Sequence, residues 1–172
     1  ESITVARLSS ENDLRQSRVH PYAILQAMAV YQRGRSVKGS GEWSPSQVVV
    51  DALDRAFYKA FANVVPSGKR HLLSLDISSS MCSAAIGDVL SARVASAAMA
   101  MVTLATEPET HITGFHNSLM PLKISTRQRL VDVVSYLNGL GFGGTDCSLP
   151  MIYAEANNIP VDTFVIYTDN ET

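Results

Sequence analysis

Three oxygen-bearing side chains, Asp76, Ser78 and Ser80, follow directly on the apolar run His71-Leu72-Leu73-Ser74-Leu75. The turn cluster Pro66-Ser67-Gly68 precedes that run, so it reads as a buried strand. Asp-x-Ser-x-Ser then occupies the place where a parallel strand hands over to a helix. In open α/β sheets ligands bind there, outside the carboxyl ends of the strands. A hard divalent cation takes oxygen ligands in near-octahedral geometry and keeps waters beside one or two carboxylates. Two hydroxyls and one carboxylate are half of such a site. The remaining oxygens are sought on other loops of the same sheet edge. Thr145 sits in Gly141-Phe142-Gly143-Gly144-Thr145-Asp146, where glycine permits close backbone approach. Asp169 follows the β-rich run Thr163-Phe164-Val165-Ile166-Tyr167-Thr168. The candidate ligand set is therefore Asp76, Ser78, Ser80, Thr145 and Asp169, for Mg²⁺ or another divalent cation such as Mn²⁺ or Ca²⁺. Taken alone, Asp76, Ser78 and Ser80 would better suit the capping of a following helix. Thr145 and Asp169 tip the balance toward a cation.

The elements that must position these residues alternate between strand and helix. Ser10 to Asp13 resembles a capping box at the start of a short helix. Pro21 suits the first position of a helix running to Arg33 with Gly34 as its stop, and Ile24, Leu25, Met28 and Tyr31 make its apolar face. Residues 34–44 carry three glycines and three serines, which leaves little to pack, and so read as a linker. Ser44 is expected to cap, and Pro45 to open, an amphipathic helix with Val48, Val49, Ala52, Leu53, Ala56, Phe57, Ala60 and Phe61 on one face. After the serine loop, a helix is expected over residues 86–106 on the spacing of Val89, Leu90, Val94, Ala97, Ala98, Met101, Val102 and Ala105. His111–Phe115 reads as a strand, and Leu119–Leu122 as a short antiparallel edge in which Pro121 is tolerated. Thr126 is expected to cap a helix bearing Leu130, Val133, Val134 and Leu137, and Pro150 to open a short one over Leu149–Asn157.

That alternation argues for an α/β fold with a doubly wound, mostly parallel sheet preceded by helices. The expected division is residues 1–44 as the end of a helical module with its linker, and residues 45–172 as the sheet domain with its leading helix. Only three residues follow Asp169. A doubly wound sheet needs strands on both sides of its switch point. The domain is therefore expected to be incomplete at its C-terminus, its remaining strands missing or supplied by a second chain.

Composition sets outer limits. Hydrophobic residues make up 46% of the 172 and charged residues 17%, which suits a globular chain with a sizeable core. No segment approaches the apolar length of a membrane span. A net charge of −2 gives no global pull toward nucleic acid, although Arg15, Arg18, Arg33, Arg35 and Lys38 make the first forty residues locally basic. That stretch is by default a solvated face. Two cysteines, Cys82 and Cys147, fit a reducing compartment better than a disulfide-stapled one, so free thiols and a cytoplasmic location are expected.

Asp-x-Ser-x-Ser, then Thr145 in a Gly-Gly-Thr-Asp loop, then Asp169 at the end of a later strand, is similar to the metal-ion-dependent adhesion site (MIDAS) of von Willebrand factor A domains. The resemblance implies that the hydroxyls of Ser78, Ser80 and Thr145 touch the metal. It also implies that Asp76 and Asp169 mostly hold its waters, leaving the cation free to take a carboxylate from a partner. More of the chain narrows the family. Arg18-Val19-His20-Pro21-Tyr22-Ala23-Ile24-Leu25, Trp43-Ser44-Pro45, Ala52–Phe61 leading to Pro66-Ser67-Gly68-Lys69-Arg70, Gly144–Tyr153 and the closing Thr168-Asp169-Asn170-Glu171-Thr172 resemble the Ro autoantigen ribonucleoprotein (TROVE) family. In that family a ring of helical repeats binds the ends of misfolded non-coding RNA through its hole and small Y RNA on its outer face, and an A domain closes the ring. The resemblance thus implies an RNA-binding, non-enzymatic protein of which most of the ring lies upstream of Glu1, and it assigns no RNA-contacting residue.

Enzymatic readings compete for the same loop. A Mg²⁺-dependent hydrolase or nuclease would use Asp-x-Ser-x-Ser, with Ser80 or Cys147 as nucleophile and His116 as base. His111 and His116 flank a strand that offers no companion acid, which favours structural histidines. A phosphatase of the haloacid dehalogenase type needs a second carboxylate two residues after the first, where this chain has Ser78. Tyr58, Phe57 and Phe61 fit the buried face of their helix better than a base-stacking platform.

Overall fold

A computed structural model of the chain describes residues 2–169 apart from Ala84, Asp88 and Phe142. Phe142 of the glycine loop and residues 170–172 of the closing string lie outside the described residues. The chain gathers into two compact units, residues 1–65 with 87–90, and residues 66–86 with 91–172.

The first unit is helical: α1 (Ser2–Ser9), α2 (Glu11–Ser17), α3 (Pro21–Arg33) and α4 (Gln47–Lys59), closed by a 3₁₀ turn at Ala60–Asn63. The Ser10 hydroxyl accepts from Asp13 N at 3.2 Å, which satisfies one of the orphan amides that open α2. His20 Nδ1 does the same for Tyr22 N at 3.1 Å at the head of α3. Gly34 ends α3 at φ +71°, and a Cβ there would also press on the Trp43 carbonyl, so glycine is required twice over.

Residues 34–44 are not the open linker expected from their glycines. Ser36 donates from both N and Oγ to the Gly41 carbonyl, at 2.8 and 2.9 Å, and Trp43 N donates to the Gly34 carbonyl at 2.9 Å. Trp43 Nε1 then reaches the Tyr31 carbonyl at 2.8 Å, while the Tyr31 hydroxyl accepts from Ser46 N at 3.1 Å. The two rings stack, 6.3 Å apart between centroids. One tryptophan closes back onto α3 a loop that its small residues would have left free. Helix α4 begins at Gln47 with Ser46 as N-cap rather than at Pro45, and it buries Val49, Val50, Ala52, Leu53, Ala56 and Phe57 while Val48 faces out. Because that buried face packs on α1 and α3, α4 belongs with the helical unit and not, as the linker suggested, with the sheet.

The second unit holds β1 (Arg70–Asp76), α5 (Ser80–Ser83), the two-residue strands β2 (Ala85–Ile86) and β3 (Leu90–Ser91, whose first residue groups with the helical unit), α6 (Ala92–Thr106), β4 (Glu109–Phe115), β5 (Leu119–Pro121), α7 (Leu130–Asn138), α8 (Leu149–Ala156) and β6 (Thr163–Tyr167). Its main sheet has the order β5-β4-β1-β6, with β4 and β6 parallel to β1 and β5 antiparallel to β4. The fold is thus α/β with a mostly parallel sheet. Strand β1 lies inside the sheet and is buried from His71 to Asp76, which is why its sequence shows a continuous apolar run. The chain leaves β1 for β4 on one side and later returns to β6 on the other. The carboxyl end of β1 is therefore a switch point where the two connections part and leave a crevice.

Two further expected helix starts move, besides that of α4. The helix foreseen over residues 86–106 begins at Ala92, because Gly87 takes φ +62° and Ser91 caps by accepting from Val94 N at 3.3 Å. Val89 and Leu90 precede it. Thr126 does not cap α7. Ser125 and Gln128 close a turn of their own there, Ser125 N donating to Gln128 Oε1 at 2.7 Å, and the helix starts at Leu130 with Arg129 at the cap.

Arg70 and Asp162 clamp the starts of β1 and β6. The Asp162 carboxylate accepts from Arg70 N, Nε and Nη2 at 2.9, 2.9 and 2.6 Å, and Asp162 N donates to the Arg70 carbonyl at 3.0 Å. These hydrogen bonds from Arg70, with its charge, hold the Asp162 carboxyl far below the usual carboxylate range. A depressed carboxyl contributes stability that is whole above its unfolded value and is lost as pH falls toward its folded one. Asp162→Asn is therefore expected to lower the melting temperature at pH 7, with the gap to wild type narrowing only below about pH 4. Thermal melts of both proteins between pH 2 and 7 check this, and a gap independent of pH would contradict it.

Candidate metal centre

Asp76 is the last residue of β1 and is fully buried. A buried carboxylate is costly unless its oxygens find donors. Each oxygen does. Oδ1 accepts from Ser78 N at 2.7 Å, which curls the chain tightly after the strand. Oδ2 accepts from the hydroxyls of Thr168 at 3.1 Å and Thr145 at 3.4 Å. Ile77 N donates to the Phe115 carbonyl at 3.0 Å, holding the start of the loop to β4. Ser78, itself buried, lies with its Oγ 3.0 Å from Ser80 Oγ. Four of the five residues singled out from the sequence, Asp76, Ser78, Ser80 and Thr145, are thus joined in one hydrogen-bonded cluster at the end of β1.

Asp169 follows Thr168 at the end of β6. Its Oδ1 is buried and has no hydrogen-bond partner among the described residues. A carboxylate oxygen withdrawn from water and left without a donor is a strong reason to expect a cation beside it. Three hydroxyls and two carboxylates are also the donor types a hard cation takes. The residues present fit a divalent ion. Among the described residues no group of three His, Cys, Asp or Glu side chains is placed to hold a metal ion.

The Thr145 loop is seated by close backbone approach. Asp146 N donates to the His116 carbonyl at 3.2 Å, and a Cβ at Gly143 would collide with the Asn117 amide oxygen and crowd His116. Glycine there lets the loop lie on the β4–β5 turn, close enough for Thr145 to reach Asp76. Asp146 accepts from Ser148 N and Oγ at 2.9 and 2.6 Å, which holds its carboxyl below the usual range and turns the chain into α8.

The groups proposed for hydrolysis are otherwise engaged. Burial, then the charges of Asp76 and Asp146, push the Cys147 thiol up, away from the reactive thiolate. His116 Nδ1 accepts from Ser118 N at 3.2 Å, and among the described residues no hydrogen bond joins His116 to Ser80 or Cys147. Both cysteines are free thiols.

Two residues of the site went unforeseen. Thr168 donates to Asp76, and its signal was a hydroxyl directly before Asp169 at a strand end. Arg93 is almost fully buried and donates from Nη2 to the Ser78 carbonyl at 2.7 Å. Its signal was a lone charge in the fifteen-residue, alanine-rich α6. Thr168→Val removes one donor from a buried carboxylate and is expected to cost about 1.5–3 kcal/mol. Urea denaturation in a chelator, compared with wild type, measures it; an unchanged midpoint would show that Asp76 does not need that hydroxyl.

Comparison with known proteins gives a consistent picture. The family of Ro60 vWA domains matches residues 70–172. The RNA-binding protein RO60 of Caenorhabditis elegans is 45% identical over 168 residues, 98% of this chain and 26% of that protein. The RNA-binding protein RO60 of Deinococcus radiodurans is 43% identical over 170 residues, 98% of this chain and 32% of that protein. The crystal structure of the Deinococcus radiodurans RO (RSR) protein superposes with a TM-score of 0.94 at 42% identity, covering 99% of this chain and 35% of the other. The chain therefore spans about a quarter to a third of the length of the relatives it matches.

Proposed function

Since the chain belongs to the family of Ro60 vWA domains, we propose that its sheet unit is a divalent-cation-dependent binding domain of a Ro-type RNA-binding protein. The observation that carries this is the pairing at one sheet edge of Asp76, satisfied by Ser78, Thr145 and Thr168, with an Asp169 oxygen that is buried and unpartnered. Ser78, Ser80 and Thr145 would supply hydroxyl ligands, and Asp76 and Asp169 would hold the ion's waters. Mg²⁺ is the expected ion, with Mn²⁺ or Ca²⁺ able to replace it. When bound, the cation supplies an electrophilic position for a carboxylate of a protein or small ligand. The engaged His116 and the raised Cys147 thiol support binding rather than turnover.

RNA recognition is assigned to the whole protein. Relatives of this chain are named RNA-binding proteins, and on the proposed reading the helical unit is the end of the family's repeat ring. We place small Y RNA and misfolded RNA as the ligands of that ring, in RNA quality control. A cytoplasmic location accords with the exposed free thiol of Cys82. No helix among the described residues is long and apolar enough to cross a membrane.

Calorimetry with Mg²⁺ and Mn²⁺ tests the cation site. Wild type is expected to bind one ion and, at tenfold excess over Kd, to gain about 1.4 kcal/mol of stability. Ser78→Ala is expected to bind more weakly, and Asp76→Ala to lose the gain. Absence of any cation effect on wild type would sink the reading, and Mg²⁺-dependent cleavage of RNA or a phosphate ester that disappears with Asp76→Ala would replace it with a hydrolase. Because most of the ring lies outside this chain on the proposed reading, the 172 residues are expected to bind RNA weakly, with affinity falling steeply as salt rises. Tight binding that survives high salt in a filter or polarisation titration would place the RNA site here instead.

A further inference from the structure

Arg93 is the second residue of α6, and it is 1% exposed in a helix that otherwise carries no charge. Burying a guanidinium is expensive and is sustained where its planar fork meets fixed acceptors. Here the two ends of the fork go to different segments. Nη2 donates to the Ser78 carbonyl at 2.7 Å, inside the Asp-x-Ser-x-Ser loop. Nη1 donates to the Leu137 carbonyl at 3.4 Å, in the last turn of α7, from which the chain runs through Gly139 into the loop bearing Thr145. The Leu137 carbonyl lies in the last turn of a helix, where a cation is favoured, and it also accepts from Leu140 N at 3.2 Å. One buried side chain thus ties the serine loop to the root of the threonine loop.

We propose that Arg93 is a positioning residue for the cation site, holding the Ser78 and Ser80 hydroxyls in register with Thr145 by bridging the two segments that carry them. This rests on the cation reading given above. Arg93 touches no ion on this account; it acts through the Ser78 carbonyl and the end of α7. Residues that orient metal ligands typically change metal affinity by roughly 10- to 100-fold when replaced.

Charge and position make opposite demands, which makes the proposal testable. As a nearby positive charge alone, Arg93 would repel a cation, and Arg93→Met would tighten binding. As a bridge, its loss loosens binding. Lysine keeps the charge and much of the stem but has no planar fork with which to span both carbonyls. Mn²⁺ titrations by calorimetry on the full 172-residue chain, at a temperature where circular dichroism shows each protein folded, are expected to give a Kd weakened roughly 10-fold or more in both Arg93→Met and Arg93→Lys. A Kd within twofold of wild type in Arg93→Lys, whatever the loss of stability, would reduce Arg93 to a structural role. A tighter Kd in Arg93→Met would make it an electrostatic one. Either result overturns the proposal, and if Arg93→Met does not fold the lysine variant decides alone. Failure of wild type to bind Mn²⁺ overturns the cation reading itself, and is seen before any variant is compared.

Discussion

A single buried carboxylate organises the sheet unit. Asp76 sits at the end of the strand with neighbours on both sides, and its two oxygens are satisfied by an amide two residues on and by hydroxyls from two distant segments. Leaving such a group without donors would cost several kcal/mol. The segments that bring Thr145 and Thr168 are therefore constrained to arrive at the same point. Thr168 arrives because β6 pairs with β1 in a register that sets Leu75 opposite Tyr167. Thr145 arrives because glycine lets its loop settle against His116 and Asn117.

The sheet topology makes that convergence possible. β1 must be central and parallel to both neighbours for loops from either side to meet over its end. Burial on both faces requires the apolar residues Leu72, Leu73 and Leu75, and the hydroxyl of Ser74 between them is accommodated by pairing with that of Thr113 on β4. Gly114 matters in the same layer. A Cβ there would stand 3.0 Å from Leu122 and 3.2 Å from Ile77, the residue that leaves the strand for the serine loop.

The sheet and its edge were legible because their signals are local. Asp76, Ser78 and Ser80 are close in sequence, Pro21 and Gly34 bracket α3 with their own backbone preferences, and the strand runs stand out by residue type. Where the reading went astray, a side chain at a distance had decided. The Tyr31 and Trp43 rings close residues 34–44, and the packing of α4 against α1 and α3 moves it into the helical unit. Gly87 and Ser91 delay α6 although apolar spacing alone runs straight through them. Thr168 and Arg93 could be suspected from composition, but no periodicity says that a threonine will reach across from another strand, or that an arginine will turn inward.

The balance of charges in the cluster bears on what it can do. Both oxygens of Asp76 are already committed to hydroxyl and amide donors, whereas Asp169 Oδ1 has no partner among the described residues. A set of neutral hydroxyls with few free carboxylates would leave a divalent ion much of its charge, whereas a ring of carboxylates would neutralise it. A retained charge favours capture of an external anion over tight, closed binding. His116 is held in its turn by Ser118 N, and burial with the neighbouring carboxylates Asp76 and Asp146 pushes the Cys147 thiol up; both features support the proposed binding role over the hydrolytic one.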